Sequence, residues 1–573
     1  MKYIIIGGVA GGATAAARIR RIDENSEVIL IEKRHHISYA NCGLPYYLGN
    51  VITERKKLFV KTADDFHKRF NVKVMTETEA LSINSVNKSV KIRTSKGVEE
   101  DLTYDKLLLS PGAMPVKPKI KGIEMPGIFT LRNVGDTDQI KAYIEKCICK
   151  KECSNKKVVI VGAGFIGLEM AENLKNQGMD VSIVEMGSQI MNPVDFCMAS
   201  FIQNHLIEKG VSLRLNEQVE SFEPTSMDDC FPINIKLKSG YDIKTDMVIF
   251  SIGVRPQTSL IKNTDIKLGQ TGGICVDQYM RTSVKDIFAV GDAVEFPHLI
   301  TGRPWLNYLA GPANRQARIA ATNMVRGCID KYEGSIGTAI AKVFDLSVAV
   351  TGLIGSRLKQ LNIKYMATHT VSCSSASYYP DSNPMIIKLT YSPANGQLFG
   401  AQIVGKTGVD KRIDLFSMII KKKGTVMDLM EIEQAYAPPY SSAKDPAAIA
   451  GYVATNAFTK EMPVLTWKKM FQELHGMGTI KNLRILDVRT PEEYKENHIE
   501  GTENFPLDDL RDHLNELDKN QPILVFCKVG LRGYLALNIL KGNGFKEVYN
   551  LTGGVTIYNS ASKVWVANKK FIL

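Results

Sequence analysis

Tyr3-Ile4-Ile5-Ile6-Gly7-Gly8-Val9-Ala10-Gly11-Gly12 reads as a short buried strand that runs into a glycine loop. Ala13-Thr14-Ala15-Ala16-Ala17-Arg18 follows with helical composition. The loop is nearly G-x-G-x-x-G, with Val9 in place of the second glycine. A tight turn at Gly7 and small residues after it let a helix N-terminus approach a pyrophosphate. There, unpaired N–H groups and the helix dipole favour negative charge. A second apolar run, Val28-Ile29-Leu30-Ile31, ends in Glu32. That is about 20 residues past the last glycine, where a carboxylate reaches a ribose diol. Strand, loop, helix, strand and acid in this order predict a dinucleotide-binding unit.

The pattern recurs. Lys157-Val158-Val159-Ile160-Val161 leads into Gly162-Ala163-Gly164-Phe165-Ile166-Gly167, a complete G-x-G-x-x-G, and then into helical Leu168-Glu169-Met170-Ala171. The next strand, Val181-Ser182-Ile183-Val184, ends in Glu185 with no arginine just after it. A carboxylate there binds a ribose 2′-OH and repels a 2′-phosphate, so NADH is expected over NADPH, with NADPH still possible. Tyr104 to Ala113 reads as a strand ending in the turn Ser110-Pro111-Gly112. Thr282 to Ala293 repeats that design, with Gly291-Asp292 expected to open a helix.

These segments resemble the two-dinucleotide-binding-domain flavoprotein superfamily. The resemblance implies a split FAD-binding domain at 1–112 and 255–330, holding FAD at Gly7 to Gly12, Glu32, Lys33, Asn41, Ser110, Pro111, Gly112, Gly291 and Asp292. It implies a nicotinamide nucleotide-binding domain at 113–254, using Gly162, Gly164, Phe165, Ile166, Gly167, Glu169, Glu185 and Gly253.

Between the first two strands and the rest lies Ser38-Tyr39-Ala40-Asn41-Cys42-Gly43-Leu44-Pro45-Tyr46. It holds one cysteine, and Tyr47 stands where a C-x-x-x-x-C pair would close. If Cys42 does redox chemistry, its partner sulfur comes from a ligand or another domain; the alternative is a buried structural cysteine. The segment resembles the single-cysteine branch of the superfamily, which includes coenzyme A-disulfide reductases, NADH peroxidases and NADH oxidases. In that branch the cysteine forms a mixed disulfide with coenzyme A or a sulfenic acid. A flavin edge, helix dipoles, Ser38 and Asn41 are expected to lower its pKa. Peroxidase and oxidase relatives carry a histidine in the early helix. Here that helix offers Thr14, Arg18 and Arg21, three polar groups expected to be exposed and suited to the phosphates of coenzyme A.

The region 331–450 reads as α+β. Ala376-Ser377-Tyr378-Tyr379-Pro380 and Ala435-Tyr436-Ala437-Pro438-Pro439-Tyr440-Ser441 resemble the coenzyme A-disulfide reductase patterns, in which tyrosines of a partner subunit reach the active-site sulfur. Motif order favours Tyr378 and Tyr436, with Tyr379 and Tyr440 as alternatives; a phenol there can protonate a leaving thiolate. Lys444 is a candidate ligand for a phosphate. The resemblance implies a dimerisation domain and a homodimer.

After an expected linker at 451–464 the pattern restarts. Arg484-Ile485-Leu486-Asp487-Val488-Arg489 is a strand, Thr490-Pro491-Glu492-Glu493 a capped helix start, and Pro522-Ile523-Leu524-Val525-Phe526 a strand that meets Cys527-Lys528-Val529-Gly530-Leu531-Arg532. A loop wrapping its N–H groups around one sulfur at a helix N-terminus stabilises a thiolate or persulfide. This arrangement resembles the rhodanese domain, at 465–573, with Cys527 catalytic, Arg532 at the substrate, and Asp487 and Arg489 as a structural pair.

The fold class is therefore α/β: two Rossmann-like domains, an α+β dimerisation domain and an α/β rhodanese domain. As a whole the chain resembles coenzyme A-disulfide reductases fused to rhodanese, also described as NADH-dependent persulfide or polysulfide reductases. The alternatives are an oxidase or peroxidase cycling through Cys42 sulfenate, and a sulfurtransferase or redox-sensing sulfur carrier.

The bulk numbers agree with a multidomain protein. At 573 residues, 44% hydrophobic and 23% charged, the chain is of ordinary globular composition. Ten irregularly spaced cysteines argue for a reducing, cytoplasmic setting rather than a disulfide framework. Cys147, Cys149 and Cys153 cluster in a Lys-rich stretch without a fourth ligand at zinc-type spacing; a solvated surface segment is expected, and no metal. The net charge of +12 is scattered, with no nucleic-acid motif. No apolar run approaches the roughly 18 residues of a membrane span.

Overall fold

The computed structural model describes residues 1–148, 156–226 and 230–570. Cys149 and Cys153 lie outside the described residues, as does the side chain of Cys147. The chain forms two compact units, residues 1–186 with 211–337, and residues 187–210 with 338–573.

The first unit is built on two parallel five-stranded sheets of one design. In the first, the strand Lys2–Ile6 lies between Glu27–Ile31 and Lys106–Leu109, with Lys73–Met75 and Ile287–Ala289 at the edges. In the second, Lys157–Val161 lies between Asp180–Glu185 and Met247–Phe250, with Ser212–Leu215 and Ile128–Thr130 outside. Central strands of a parallel sheet are covered on both faces, which is why Tyr3–Ile6 and Val158–Val161 read as unbroken apolar runs. Smaller sheets join them, among them the antiparallel Glu79–Asn84 with Ser89–Arg93 and Glu99–Thr103, and Val219–Pro224 with Ile233–Leu237 and Asp242–Thr245.

The second unit holds an antiparallel five-stranded sheet in the order Ala339–Val343, Leu346–Gly352, Leu398–Gly405, Pro384–Tyr391, Met366–Cys373, flanked by the helices Val409–Lys421 and Pro446–Phe458. It also holds a parallel sheet in the order Val464–Leu465, Val548–Leu551, Ile523–Phe526, Arg484–Asp487, Glu503–Asn504. Residues 187–210, expected within the nicotinamide nucleotide-binding domain, cluster instead with this unit. Asp195 accounts for part of that: its carboxylate pairs with Lys388 (2.9 Å) and accepts from Gln402 (2.7 Å) and the Gly355 N–H (2.9 Å).

Two local expectations are corrected. Gly291-Asp292-Ala293 does not open a helix. It forms a single 3₁₀ turn that feeds the strand Val294–Pro297, whose alternating residues suit a pleat. The helix that serves this turn is Ala310–Arg326, whose Gln316 side chain accepts from the Gly291 N–H (2.8 Å). The first part of the linker expected over 451–464 is helical: Pro446–Phe458, capped by Asp445, occupies it as far as Phe458 and buries Ala450, Gly451, Ala454 and Ala457.

Candidate active site

The first glycine loop is held by hydrogen bonds that run across the sheet. The Gly7 N–H donates to the Ile31 carbonyl (2.8 Å) and the Ser110 N–H to the Ile6 carbonyl (2.8 Å). Gly7 has φ +99°, and a Cβ on Gly12 would collide with the Gly7 carbonyl, so both positions require glycine. Glu32 accepts from the Gly8 N–H (2.8 Å), which anchors its carboxylate beside the loop. The second loop repeats these contacts: Gly162 N–H to Val184 carbonyl (2.8 Å), Ser251 N–H to Val161 carbonyl (2.8 Å), and Ala163 N–H to Glu185 Oε2 (2.8 Å). Gly162 has φ +103°, and a Cβ on Gly167 would strike the Gly162 carbonyl. Of the other residues expected here, Ile166 is exposed and Gly253, at φ +116°, lies open beside the Val116 N–H that its carbonyl accepts from (3.0 Å).

A cleft of about 550 Å³ opens on the first loop. It is lined by Gly7 to Gly11, Glu32, Lys33, Asn41, Cys42, Ser110 to Gly112, Gly291 and Asp292. The cleft fits a flavin dinucleotide. A Cβ-free cradle lies at the helix start, a carboxylate stands beside the cradle, and Asp292 and Cys42 share the same cavity. Lys33 pairs with Glu79 (2.6 Å) at the surface.

Ser38, at φ +46°, donates its N–H to the Gly8 carbonyl (2.8 Å) and so ties the cysteine segment to the glycine loop. Arg132 lines the same cleft, and sequence reasoning missed it. With its carboxamide turned to satisfy both partners, Asn41 donates to the Arg132 carbonyl (2.8 Å) and accepts from its Nη1 (2.6 Å). Only the fold brings these two residues together, so no local pattern could have revealed it.

The environment of Cys42 departs from expectation. The residue is open to the cleft, yet burial of the sulfur pushes its thiol pKa up, and the carboxylates of Glu169 and Asp292 push the same way. The neighbouring side chains therefore oppose the thiolate rather than favour it. Burial raises Glu169 itself to about 7, partly offset by the Tyr46 hydroxyl, which donates to Oε1 at 3.5 Å; the Glu172 charge adds to the rise. Asp292 is also raised by burial, against the pull of Arg132.

The polar trio of the helix Ala10–Ile22 is exposed only at Arg21. This helix packs along Ala310–Arg326, so Thr14 donates to the Asn314 side chain (2.7 Å) and Arg18 to the Thr322 hydroxyl (3.3 Å). Arg18 still sits among cations: its pKa is lowered by burial and then by Arg318, Arg21 and Arg326.

Tyr378 and Tyr436 meet, with hydroxyls 3.4 Å apart, although they lie on different loops. Both are exposed, as are Tyr379, Tyr440 and Lys444. The bond from Tyr378 raises the Tyr436 pKa.

Cys527 is buried at the end of the strand Ile523–Phe526. The Gly530 N–H donates to its sulfur (3.1 Å), and Gly530 reaches that position at φ +110°. Asn550 holds the Gly530 carbonyl (3.0 Å), and the Val555 N–H holds the Cys527 carbonyl (2.9 Å). Arg532, expected to meet substrate, forks onto Glu493 (2.6 and 2.9 Å) and holds that carboxyl down at about 2. The Arg532 pKa is raised by that bond first, and the charge and hydrogen bond of Cys527 add to the rise, so the guanidinium faces the sulfur as well as Glu493; Lys528 is the exposed cation of the loop. Asp487 and Arg489 pair in the interior (2.6 Å).

Residues 1–314 match the family of pyridine nucleotide-disulphide oxidoreductases, residues 338–448 its dimerisation domain and residues 470–561 a rhodanese-like domain. The chain belongs to the pyridine nucleotide-disulphide oxidoreductase family and is an oxidoreductase of the kind that uses FAD and a nicotinamide nucleotide. Within that family it is similar to the reduced CoADR-RHD of Bacillus anthracis: identity is 42%, the TM-score is 0.93, and 98% of each chain is covered. It is also similar to a NAD-dependent persulfide reductase from A. fulgidus, at 36% identity and TM-score 0.88, over 97% of this chain and 100% of that one. The coenzyme A disulfide reductase of Staphylococcus aureus (strain JH9) is 36% identical over 454 residues, which is 79% of this chain and 99% of that protein. Among the described residues, no helix is long and apolar enough to cross a membrane.

Proposed function

We propose that the protein uses NADH to reduce the S–S bond of coenzyme A disulfide, or of coenzyme A persulfide or polysulfide, at Cys42. In this reading Cys527 collects and presents sulfane sulfur. The observation that carries the reading is the shared cleft: one cavity is lined by a dinucleotide-binding glycine loop, Glu32, Asp292 and a single cysteine.

FAD, when bound, supplies the two-electron relay between nicotinamide and sulfur. The chain's part is to hold and protonate. Glu32 and Glu185 each stand beside a glycine loop, where a carboxylate takes a ribose diol; at Glu185 this favours NADH over a 2′-phosphorylated nucleotide. The Cys42 thiolate attacks the S–S bond, a Cys42–coenzyme A mixed disulfide forms, and one coenzyme A thiolate leaves and takes a proton. Two electrons and a second proton then return Cys42 and release the second coenzyme A. The sum is one NADH and one proton consumed for two thiols formed. Tyr378 and Tyr436, from the partner of a homodimer, are the proton donors in this reading. A raised thiol pKa makes Cys42 a poorer leaving group than an unperturbed cysteine, which slows loss of the mixed disulfide by thiol exchange. Arg18, Arg21 and Lys444 serve the phosphates of coenzyme A.

Mass spectrometry of the purified protein tests this directly. A coenzyme A adduct on Cys42 is expected, and it disappears on titration with NADH. An adduct-free Cys42, with peroxide consumed faster than coenzyme A disulfide, would sink the reading in favour of sulfenate cycling; the helix Ala10–Ile22 contains no histidine to serve that chemistry.

A further inference from the structure

The two loops that carry Tyr378 and Tyr436 share one buried cation. Arg412 lies on the helix Val409–Lys421 with no exposed surface. Its guanidinium forks onto Asp445 (Nε to Oδ1 3.0 Å, Nη2 to Oδ2 2.7 Å). Nη2 also donates to the Ser374 carbonyl (3.1 Å) and the Ser441 hydroxyl (3.2 Å), and Nη1 to the Gly408 carbonyl (3.0 Å). Ser441 donates in turn to Asp445 Oδ2 (2.6 Å), and Asp445 caps the helix Pro446–Phe458 through the Ala447 N–H (2.9 Å).

Ser374 begins the loop that reaches Tyr378, whereas Ser441 and Asp445 end the loop that starts beside Tyr436. A buried guanidinium persists only when each of its donors is met. Here the acceptors come from both loops, so satisfying the cation fixes one loop against the other. Higher up, the Ala376 N–H donates to the Pro438 carbonyl (3.2 Å), and the phenols meet at 3.4 Å. The phenols cannot hold themselves in place by packing, since Tyr378 is 75% exposed and Tyr436 50%. The Ala376–Pro438 bond joins the loops above, and Arg412 joins them beneath through side-chain donors that a single substitution can remove.

We propose that Arg412 is the positioning residue for the Tyr378–Tyr436 pair: by binding both loops from below, it sets the distance at which the two hydroxyls meet. The proposal rests on the reading in which this pair protonates the departing thiolate. Ser441 extends the same hold, and Asp445 is the counter-charge that lets the guanidinium stay buried.

The test uses purified holoenzyme and two NADH-linked rates, coenzyme A disulfide reduction and ferricyanide reduction, the second of which needs no proton donor at sulfur. The variants are R412K, which keeps the charge and loses the fork, S441A, Y378F/Y436F, and each of the first two combined with the double Phe variant. R412K is expected to lower kcat for coenzyme A disulfide about tenfold and S441A about threefold, as misplacement of an acid does. Ferricyanide reduction should stay within about twofold in R412K and S441A. In the Y378F/Y436F background neither substitution should add a further loss, because a residue acting through the phenols has nothing left to act on.

A wild-type kcat in R412K and S441A, or a loss that persists undiminished in the double Phe background, overturns the positioning role while the tyrosine reading stands. A wild-type rate in Y378F/Y436F itself overturns the tyrosine reading, and the proposal with it, by a distinct result. If R412K fails to fold, S441A and its combination with the double Phe variant decide the matter by the same criteria.

Discussion

Cys42 sits in the 3₁₀ turn Asn41–Gly43 and Cys527 follows the strand Ile523–Phe526, and the chain surrounds the two sulfurs differently. At Cys527 an N–H of the loop points at the sulfur, a glycine in the left-handed region closes the turn, and the helix Leu531–Gly542 begins four residues on. One backbone N–H, the helix N-terminus and the Arg532 guanidinium, which also meets Cys527, together make an anion site. At Cys42 the surroundings are burial and two carboxylates, both of which favour the neutral thiol. The difference separates two kinds of sulfur chemistry. An anion site suits a cysteine that carries an anionic persulfide. A thiolate-averse pocket suits one that rests as a mixed disulfide, which bears no charge on its sulfur.

The largest effects should come from exchanging the sulfurs one at a time. C42S is expected to lower NADH-linked coenzyme A disulfide reduction by roughly a thousandfold, while thiosulfate-to-cyanide transfer persists. C527S should do the reverse, with disulfide reduction held within about twofold. If C527S also abolished disulfide reduction, the two turns would be one site and the contrast would fall. The next effect is at the cradle. G530A places a Cβ at φ +110°, a strain of about 1–3 kcal/mol that the loop relieves by turning its N–H away from sulfur. Sulfur transfer should fall about tenfold or more with disulfide reduction unchanged; assays of both activities on one preparation check this.

Much of this contrast was legible along the chain, and its limit has a physical cause. The glycine loops, Glu32, Glu185 and the Cys527 turn are local: their partners are a strand, a turn and a helix that follow at once, so spacing alone specifies them. The αL glycines Gly7, Gly162 and Gly530 stand where those turns require them. What spacing does not carry is the pairing of distant residues. Arg132 beside Asn41, Glu169 beside Cys42 and Arg412 beneath two loops are each brought together only by the sheet. The same blindness explains the corrections. Thr14 and Arg18 look free on a helical projection, but the helix Ala310–Arg326, some three hundred residues away in the chain, takes them up. Gly291-Asp292 repeats a helix-opening motif, yet its helix is supplied from elsewhere.

Glu169 offers a medium-sized effect that sharpens the Cys42 side. Burial raises its folded-state pKa from 4.5 to about 7, so the folded protein binds this proton more tightly than the unfolded chain does. Its contribution to stability is full below the unfolded value and is lost as pH rises through 7, a fall of order 1–3 kcal/mol. E169Q should flatten that slope in urea unfolding measured at pH 5 and pH 8. It also removes a carboxylate that raises the Cys42 pKa, so the thiolate limb of iodoacetamide labelling should move to lower pH. A labelling curve that moved to higher pH would show that Glu169 assists the thiolate and would erase the contrast with Cys527.

The smallest effect probes the other cysteine. Arg532 follows Gly530 by two residues; it forks onto Glu493 and also meets Cys527, while Lys528 is the loop's exposed cation. E493Q keeps the shape of the partner and unmatches the guanidinium, raising the positive potential at the loop mouth. The KM for thiosulfate, a dianion, should fall about two- to fivefold with kcat nearly constant, and the gain should shrink as ionic strength rises. The Gly530 N–H still meets the sulfur and Arg532 keeps its contact with Cys527, so the transfer step itself is expected to change little. An altered kcat with an unchanged KM would mean that the Arg532–Glu493 pair acts on the geometry of the cradle.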